Sequence, residues 1–341
     1  MSRALKHLPA QTPARAALGH LRRRRVVGAS LALASLRRAA AAQWPDRPVR
    51  MVVGSTPGPG PDLIARSLAP YLAEAFGQPF VVENRPGAGG VVGATIVAQA
   101  RDGHTLGIVL GGPTTVARAL NPAVPYDPAR DFVSVSLLTR VPLVLTVPQT
   151  LGVGDIAGFL ALARARPGAL SYASVGPGTL THLAMEEIKD AHGLDIAYVP
   201  YRGFPDATRD LLAGRVQVMF NVPSAVLEHV RAGTLVALAQ SGGSRLATFP
   251  AVPTLEEAGL ATPFYGWTGI VAPAGFPPEN ARRIAAAARS ALADHPAARG
   301  GVEQFGNEVL GTDPEVLAAL QASEARRWTA VITRLGLRLS D

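Results

Sequence analysis

Short β-branched runs recur along this chain, each followed by a glycine-dense turn and then by apolar residues at helical spacing. That alternation limits the chain to an α/β architecture. Val49–Val53 leads into GSTPGPGPD (Gly54–Asp62), after which Leu63, Ile64, Leu68, Tyr71, Leu72 and Phe76 fall near a 3.6-residue period. Asp62 is placed to cap this helix and Gly77 to end it. The pattern repeats with a strand at Phe80–Glu83, the turn PGAGG (Pro86–Gly90), a helix near Val91–Ala100 and a strand at Thr105–Leu110. Further on, strands are expected about Leu170–Ser174, Arg215–Phe220, Leu235–Ala239 and Gly269–Ala272. Helices are expected about Ile156–Arg166, Thr179–Gly193, Asp206–Ala213 and Ser224–Arg231, with two more, Pro278–Ala293 and Pro314–Leu335, at the C-terminal end. Strands separated by helices of this length predict parallel sheets covered on both faces.

The chain has 341 residues, enough for about two compact lobes. It has no cysteine, which excludes disulfide-stapled modules, zinc ribbons, iron–sulfur sites and lipoprotein anchors. The formal charge of +8 misleads, because residues 1–42 hold nine Lys or Arg and no Asp or Glu. The 24 cations that remain face 25 anions, so the body gives no electrostatic reason to expect nucleic-acid binding. The leader itself reads as an export signal. Arg22–Arg25 form a basic cluster, Val26–Leu36 a short uncharged run, and Ala39–Ala42 a small-residue cleavage region. Paired arginines before a weak apolar run also fit a twin-arginine route. A cut after Ala42 leaves a protein expected in the periplasm as a monomer.

In open α/β sheets, ligands bind beyond the carboxyl ends of the strands, where helix N-termini point. Three turns therefore stand out: Gly54–Gly60, LGGPTT (Leu110–Thr115) and SVGPGTLTHL (Ser174–Leu183). Bare N–H groups at such turns bind anions through oriented dipoles and hydrogen bonds. Signatures of enzyme chemistry are scarce. No G-x-x-x-x-G-K-[ST] or G-x-S-x-G occurs, and PGAGGVVG (Pro86–Gly93) lacks the offsets of a dinucleotide loop. The five histidines past the leader, His104, His182, His192, His229 and His295, form no metal-ligand spacing, so neither a metal nor a cofactor is expected. A hydrolase would have to use Ser174 as nucleophile and His182 as base, with no orienting carboxylate apparent.

Several segments carry a more specific resemblance. They are WPDRPVRMVV (Trp44–Val53), VVENRPGAGG (Val81–Gly90), DGHTLGI (Asp102–Ile108), NPAVPYDPARDF (Asn121–Phe132), SYASVGPGTLTHLAME (Ser171–Glu186) and VPYRG (Val199–Gly203). DLLAGRVQVMF (Asp210–Phe220), FPAVPTLEEAGL (Phe249–Leu260) and WTGIVAPAGFP (Trp267–Pro277) continue the series. From about Trp44 onward the chain resembles the solute receptors of tripartite tricarboxylate transporters, the Bug or TctC family. The resemblance implies a type II periplasmic binding protein fold, with two α/β lobes and a ligand cleft between them. It divides the mature chain into lobe 1, residues 43–140 plus 250–341, and lobe 2, residues 141–249.

It also implies a small organic carboxylate as ligand, gripped by main-chain N–H groups and hydroxyls. Transporter membrane subunits or a sensor kinase would be the partners. Carried over residue by residue, the expected ligand contacts are Ser55, Thr56, Gly58, Gly60, Gly112, Thr114, Ser174, Gly176, Thr179, His182, Tyr201 and Asn221. Arg202 and Gly203 belong to the same P-Y-R-G segment as Tyr201. The first turn departs from the family's P-F-x-x-G-G: Ser55 and Thr56 add hydroxyls where an aromatic wall is usual, and Pro59 removes a donor. Asn221 stands where many relatives carry Asp. A receptor that signals without transport, or a secreted α/β hydrolase, are the alternatives.

Overall fold

The computed structural model describes residues 44–58, 60–303 and 306–338. The export signal over residues 1–42 and the lost donor at Pro59 lie outside these. In chain order the first elements are β1 (Val49–Val53), α1 (Pro61–Phe76), β2 (Phe80–Asn84), α2 (Val91–Gln99) and β3 (Thr105–Leu110). Two short helices follow, α3 (Gly111–Thr115) and α4 (Ala117–Leu120), and then β4 (Phe132–Val141) and β5 (Val144–Pro148). The middle of the chain supplies α5 (Ile156–Ala165), β6 (Leu170–Ser174), α6 (Leu180–His192), β7 (Ile196–Pro200), α7 (Phe204–Leu212), β8 (Val218–Asn221), α8 (Pro223–Arg231) and β9 (Leu235–Gln240). The end supplies β10 (Gly266–Pro273), α9 (Pro278–Asp294), α10 (Pro296–Glu303), β11 (Glu308–Val309) and α11 (Pro314–Leu335).

The strands form two sheets, ordered β11-β4-β10-β3-β1-β2 and β7-β6-β8-β5-β9. β1 lies parallel to β2 and β3, and β6 parallel to β7 and β8, as helix-length crossovers require. The sheets are not wholly parallel, however. β10 runs antiparallel to β3 and β4, β11 to β4, and β5 to β8 and β9. The reason is topological. β4 passes into β5 through Pro142 and Leu143 alone, so one extended segment leaves the first sheet and enters the second. The return path, β9 to β10, runs beside it. Ser241 stitches the two together: its N–H donates to the Leu143 carbonyl at 2.8 Å, and its hydroxyl accepts from the Leu143 N–H at 2.8 Å and donates to the Phe264 carbonyl at 2.6 Å.

Other local expectations also shift. Asp62 is not the N-cap of α1. Gly60 is, with Pro61 in the first turn, whereas Gly77 in the left-handed conformation does end the helix. Three helices rather than two close the chain, because α10 begins at Pro296, directly after His295 caps the C-terminus of α9. The second sheet is packed through Phe159, Tyr172, Phe220 and Leu145, and a separate cluster through Val52, Val97 and Val271 packs the first. α11 reaches both, giving Leu317 to the first cluster and Trp328, Val331 and Ile332 to the second.

Candidate functional site

The three glycine turns meet, and a fourth joins them. A Cβ on Gly112, in the second turn, would stand well under 3.0 Å from the carbonyl oxygen of Gly178 in the third. Only a residue without a side chain permits that approach. Gly89, in the PGAGG segment, also approaches the third turn, less tightly: its Cβ would fall 3.0 Å from the Pro177 carbonyl oxygen. Gly54, opening the first turn, abuts Gly90 in the same way. PGAGG therefore works as a wall of the site, a role that its failed match to a dinucleotide loop concealed. Gly54, Ser55, Gly89, Gly90, Leu110 and Pro113 line a cavity of about 10 Å³. That is room for roughly one water-sized group, so the turns stand closed upon one another.

In the first turn, the Ser55 hydroxyl is buried and has no hydrogen-bond partner among the described residues. A buried hydroxyl left unpaired costs about 1–3 kcal/mol, so its position calls for a partner. Thr56 and Gly58 are exposed, and Gly60 is half-buried at the start of α1. The Gly58 N–H is already committed, donating to Asp62 at 2.9 Å. The same carboxylate accepts from Arg66 Nε at 3.0 Å and from Asn84 Nδ2 at 2.9 Å. Asn84 also donates to the Ser55 carbonyl at 3.1 Å. Burial opposes ionisation of Asp62, but the bonds from Arg66, Gly58 and Asn84 outweigh it and hold its pKa below the usual carboxylate range. Asp62 thus braces the first turn from behind. Replacing it with alanine is expected to cost about 2–3 kcal/mol, since three donors lose a buried charged acceptor. A fall of roughly 5 °C in the Tm would record it; an unchanged Tm would show that the turn is held otherwise.

The second turn is helical rather than open. Thr114 is buried in α3, and its hydroxyl reaches back to the carbonyls of Leu110 and Gly111, both at 3.3 Å. In the third turn, Ser174 is fully buried. Its Oγ donates to the Gly176 carbonyl at 3.0 Å and accepts from the Gly176 N–H at 3.2 Å. Thr179 Oγ1 donates to the same carbonyl at 2.6 Å. These bonds hold the turn that opens α6. Ser174 and His182 share no hydrogen bond with each other, and each is engaged with the backbone.

His182 accepts the Gly178 N–H on Nδ1 at 3.2 Å, and its ring lies 4.4 Å from that of Tyr198. Burial pushes its pKa down to about 4; nearby Glu186 pulls it up and Lys189 down. The imidazole is therefore neutral at pH 7 and offers no positive charge. Two of the expected contacts, one in β8 and one just after β7, point elsewhere. Asn221 is fully buried, with its carbonyl accepting from Thr208 at 3.2 Å and its amide donating to Thr146 at 2.9 Å. The Tyr201 hydroxyl donates to Asp210 at 3.0 Å, although its N–H ties to the Ser174 carbonyl. Arg202 is exposed, with no ion-pair partner among the described residues.

Behind the second turn sits a group that nothing in the sequence marked. A carboxylate oxygen of Glu324 accepts from Trp267 Nε1 at 2.8 Å, and it would lie 2.9 Å from a Cβ on Gly111. Burial pushes the Glu324 pKa up to about 7, against the opposing pull of the Trp267 N–H and Arg327. Among the described residues there is no group of three or more His, Asp or Glu that could hold a metal ion. The arrangement offers an orphan hydroxyl, glycine-walled backbone and helix N-termini, which is chemistry for holding a small anion without a cation.

Comparison with known proteins gives the same direction. Residues 64–337 match the model of the tripartite tricarboxylate transporter family receptor. BugT of Bordetella pertussis is 36% identical over 321 residues, covering 92% of this chain and 97% of its own length. Among solved structures, MatC from Rhodopseudomonas palustris, with bound malate, superposes with a TM-score of 0.77 at 32% identity, covering 85% of this chain and 100% of that one. A second R. palustris protein, solved with adipate, has a TM-score of 0.77 at 32% identity, covering 86% of this chain and 98% of its own.

Proposed function

The chain belongs to the tripartite tricarboxylate transporter receptor family, and from that premise we propose that it captures a small organic carboxylate at the meeting point of its glycine turns. The orphan Ser55 hydroxyl, beside the cavity bounded by the first turn, PGAGG and the second turn, carries the reading. The two R. palustris relatives solved with malate and adipate support the ligand class. Because the present cavity holds only a water-sized group, the turns must part to admit the acid and close on it. Ser55, the N–H groups around Gly112 and the start of α6 at Thr179 and Leu180 form the proposed grip. Thr114, Ser174, Tyr201 and Asn221 act at one remove, since their polar atoms hold the surrounding backbone. A few charge-assisted hydrogen bonds of about 1.5–3 kcal/mol each support micromolar affinity.

The protein is exported by its leader to the periplasm and is a receptor rather than an enzyme. Its lobes are residues 43–140 with 250–341, and 141–249. It hands its ligand to transporter membrane subunits or reports it to a sensor kinase.

Calorimetric titration with malate, adipate and further mono- and dicarboxylates tests the proposal. At least one acid is expected to bind, and Ser55→Ala is expected to weaken it about tenfold, the loss of one such hydrogen bond. The Tm of the free variant should not fall, because the hydroxyl has no internal partner to lose. Binding of neutral solutes only, or indifference to Ser55→Ala, would overturn the reading.

A further inference from the structure

We infer that Glu324 couples carboxylate capture to the uptake of a proton, making this receptor proton-linked through a side chain that does not touch the ligand. The inference rests on the carboxylate reading above. Its basis is position. Glu324 projects from α11 to the backbone of Gly111, the residue that opens α3, while Gly112 next to it meets Gly178 across the proposed site. Trp267 Nε1–H, 2.8 Å away, fixes the carboxyl there. An acid held by the N–H groups around Gly112 would set its negative charge on the turn whose backbone the Glu324 carboxylate touches. Like charges in a partly buried setting resolve by protonating the more basic one.

Of the neighbouring charges only Arg327 favours the ionised carboxyl, and its pull is already present without ligand; Arg326 is exposed, and Lys189 of α6 is paired with Glu186. On α11 itself, Arg327 is already paired with Glu187 of α6 at 2.9 Å and donates to the carbonyls of Thr262 and Pro263. Also from α6, Asp190 is paired with Arg334 at 3.0 Å. From β4, Arg140 is bound to Glu308. α4 contributes Arg118, which faces Asp127 at 3.9 Å, and α9 contributes Arg282 and Arg289, which face Glu315 and Asp313. α3 carries no ionisable side chain, and β10 presents Trp267. With a pKa of about 7 before binding, Glu324 is close to half-ionised at neutral pH, where a small push changes its proton occupancy most. His182, with a pKa of about 4, stays neutral throughout this range and takes no part.

Linkage makes the effect measurable from both ends. Titration of the full mature protein with malate and adipate at pH 6.5 and pH 8.5, in buffers of different ionisation enthalpy, reports affinity and protons exchanged. If binding raises the Glu324 pKa by about one unit, affinity at pH 6.5 exceeds that at pH 8.5 roughly fivefold, with about half a proton taken up near pH 7. Glu324→Gln keeps an acceptor for Trp267 and removes the charge, so it should bind with nearly the same affinity at both pH values and take up no proton. Wild-type binding without proton uptake overturns the inference while leaving the carboxylate reading intact, and needs no variant. Uptake that survives in Glu324→Gln overturns it equally. If no acid binds either protein at any pH, the carboxylate reading falls and this inference with it.

Discussion

Replacing Gly112 with valine is expected to lower carboxylate affinity more than a hundredfold. The new Cβ would be forced against the carbonyl oxygen of Gly178, with the carbonyl carbon 3.2 Å and Thr179 Cα 3.7 Å away. All of these are backbone atoms, so no rotamer change relieves the clash. The second and third turns must move apart by roughly 1 Å, and misplacement on that scale costs about 10²-fold where groups act together in fixed geometry. The contact joins two turns rather than filling a core, so each sheet should survive. Gly154→Ala is the matching control, because no atom lies within 4 Å of its added Cβ. Calorimetry with malate and adipate, and circular dichroism on all three proteins, would read the result. Wild-type affinity in Gly112→Val would mean that the two turns do not need to meet.

The second large effect is on stability. The folded-state pKa of His182 is about 4, against 6.5 for the free side chain. The unfolded chain thus takes up its proton first as the pH falls. Stability from the neutral, buried imidazole is fully present above pH 6.5, declines below it, and is gone near pH 4. A difference of that size corresponds to roughly 3 kcal/mol. Carboxylates with lowered pKa, Asp62 and Asp102 among them, lose their own contributions only as the pH falls toward and below 4. Glu324, pushed up to about 7, is instead protonated first in the folded chain and adds stability as the pH falls through this window, so the histidine is isolated only where Glu324 cannot titrate. In a Glu324→Gln background, urea unfolding at pH 7, 5.5 and 4.5 should give a steadily falling midpoint. Adding His182→Asn to Glu324→Gln keeps an acceptor for the Gly178 N–H but leaves nothing there to titrate, so the midpoint of that double variant should be nearly flat from pH 7 to 5.5. Parallel curves for the two proteins would refute the assignment.

Both effects trace to glycines and a histidine that stand out in the sequence, and the limits of that legibility are instructive. The helices after glycine turns were readable because apolar spacing and helix stops are local properties; α1 ends at Gly77 as its spacing implied. The antiparallel strands were not. β4 and β5 are one extended stretch of similar residues, and nothing in Phe132–Pro148 marks where one sheet hands over to the next. The grip itself was half visible. Ser55 and Ser174 look alike in sequence, each a serine at the end of a strand near glycine. Ser174 is the last residue of β6, and the turn it begins folds back to engage its hydroxyl. Ser55 lies two residues beyond β1, and its own turn is bound through Asp62 and Asn84, so its hydroxyl is left over.

The sequence by itself determined the long helices that follow glycine turns and which family the chain joins, because apolar periodicity is set by near neighbours; the short helix at Gly111–Thr115 and the one at Pro296–Glu303 escaped it. Tertiary structure alone decided which polar groups stay free to hold an anion. Donors and acceptors are consumed by partners from remote segments: Thr208 and Thr146 close off Asn221, Asp210 takes Tyr201, and α11 brings Glu324 beneath Gly111. Hydrogen-bond capacity is finite, and what remains for a ligand is known only after the fold has taken its share.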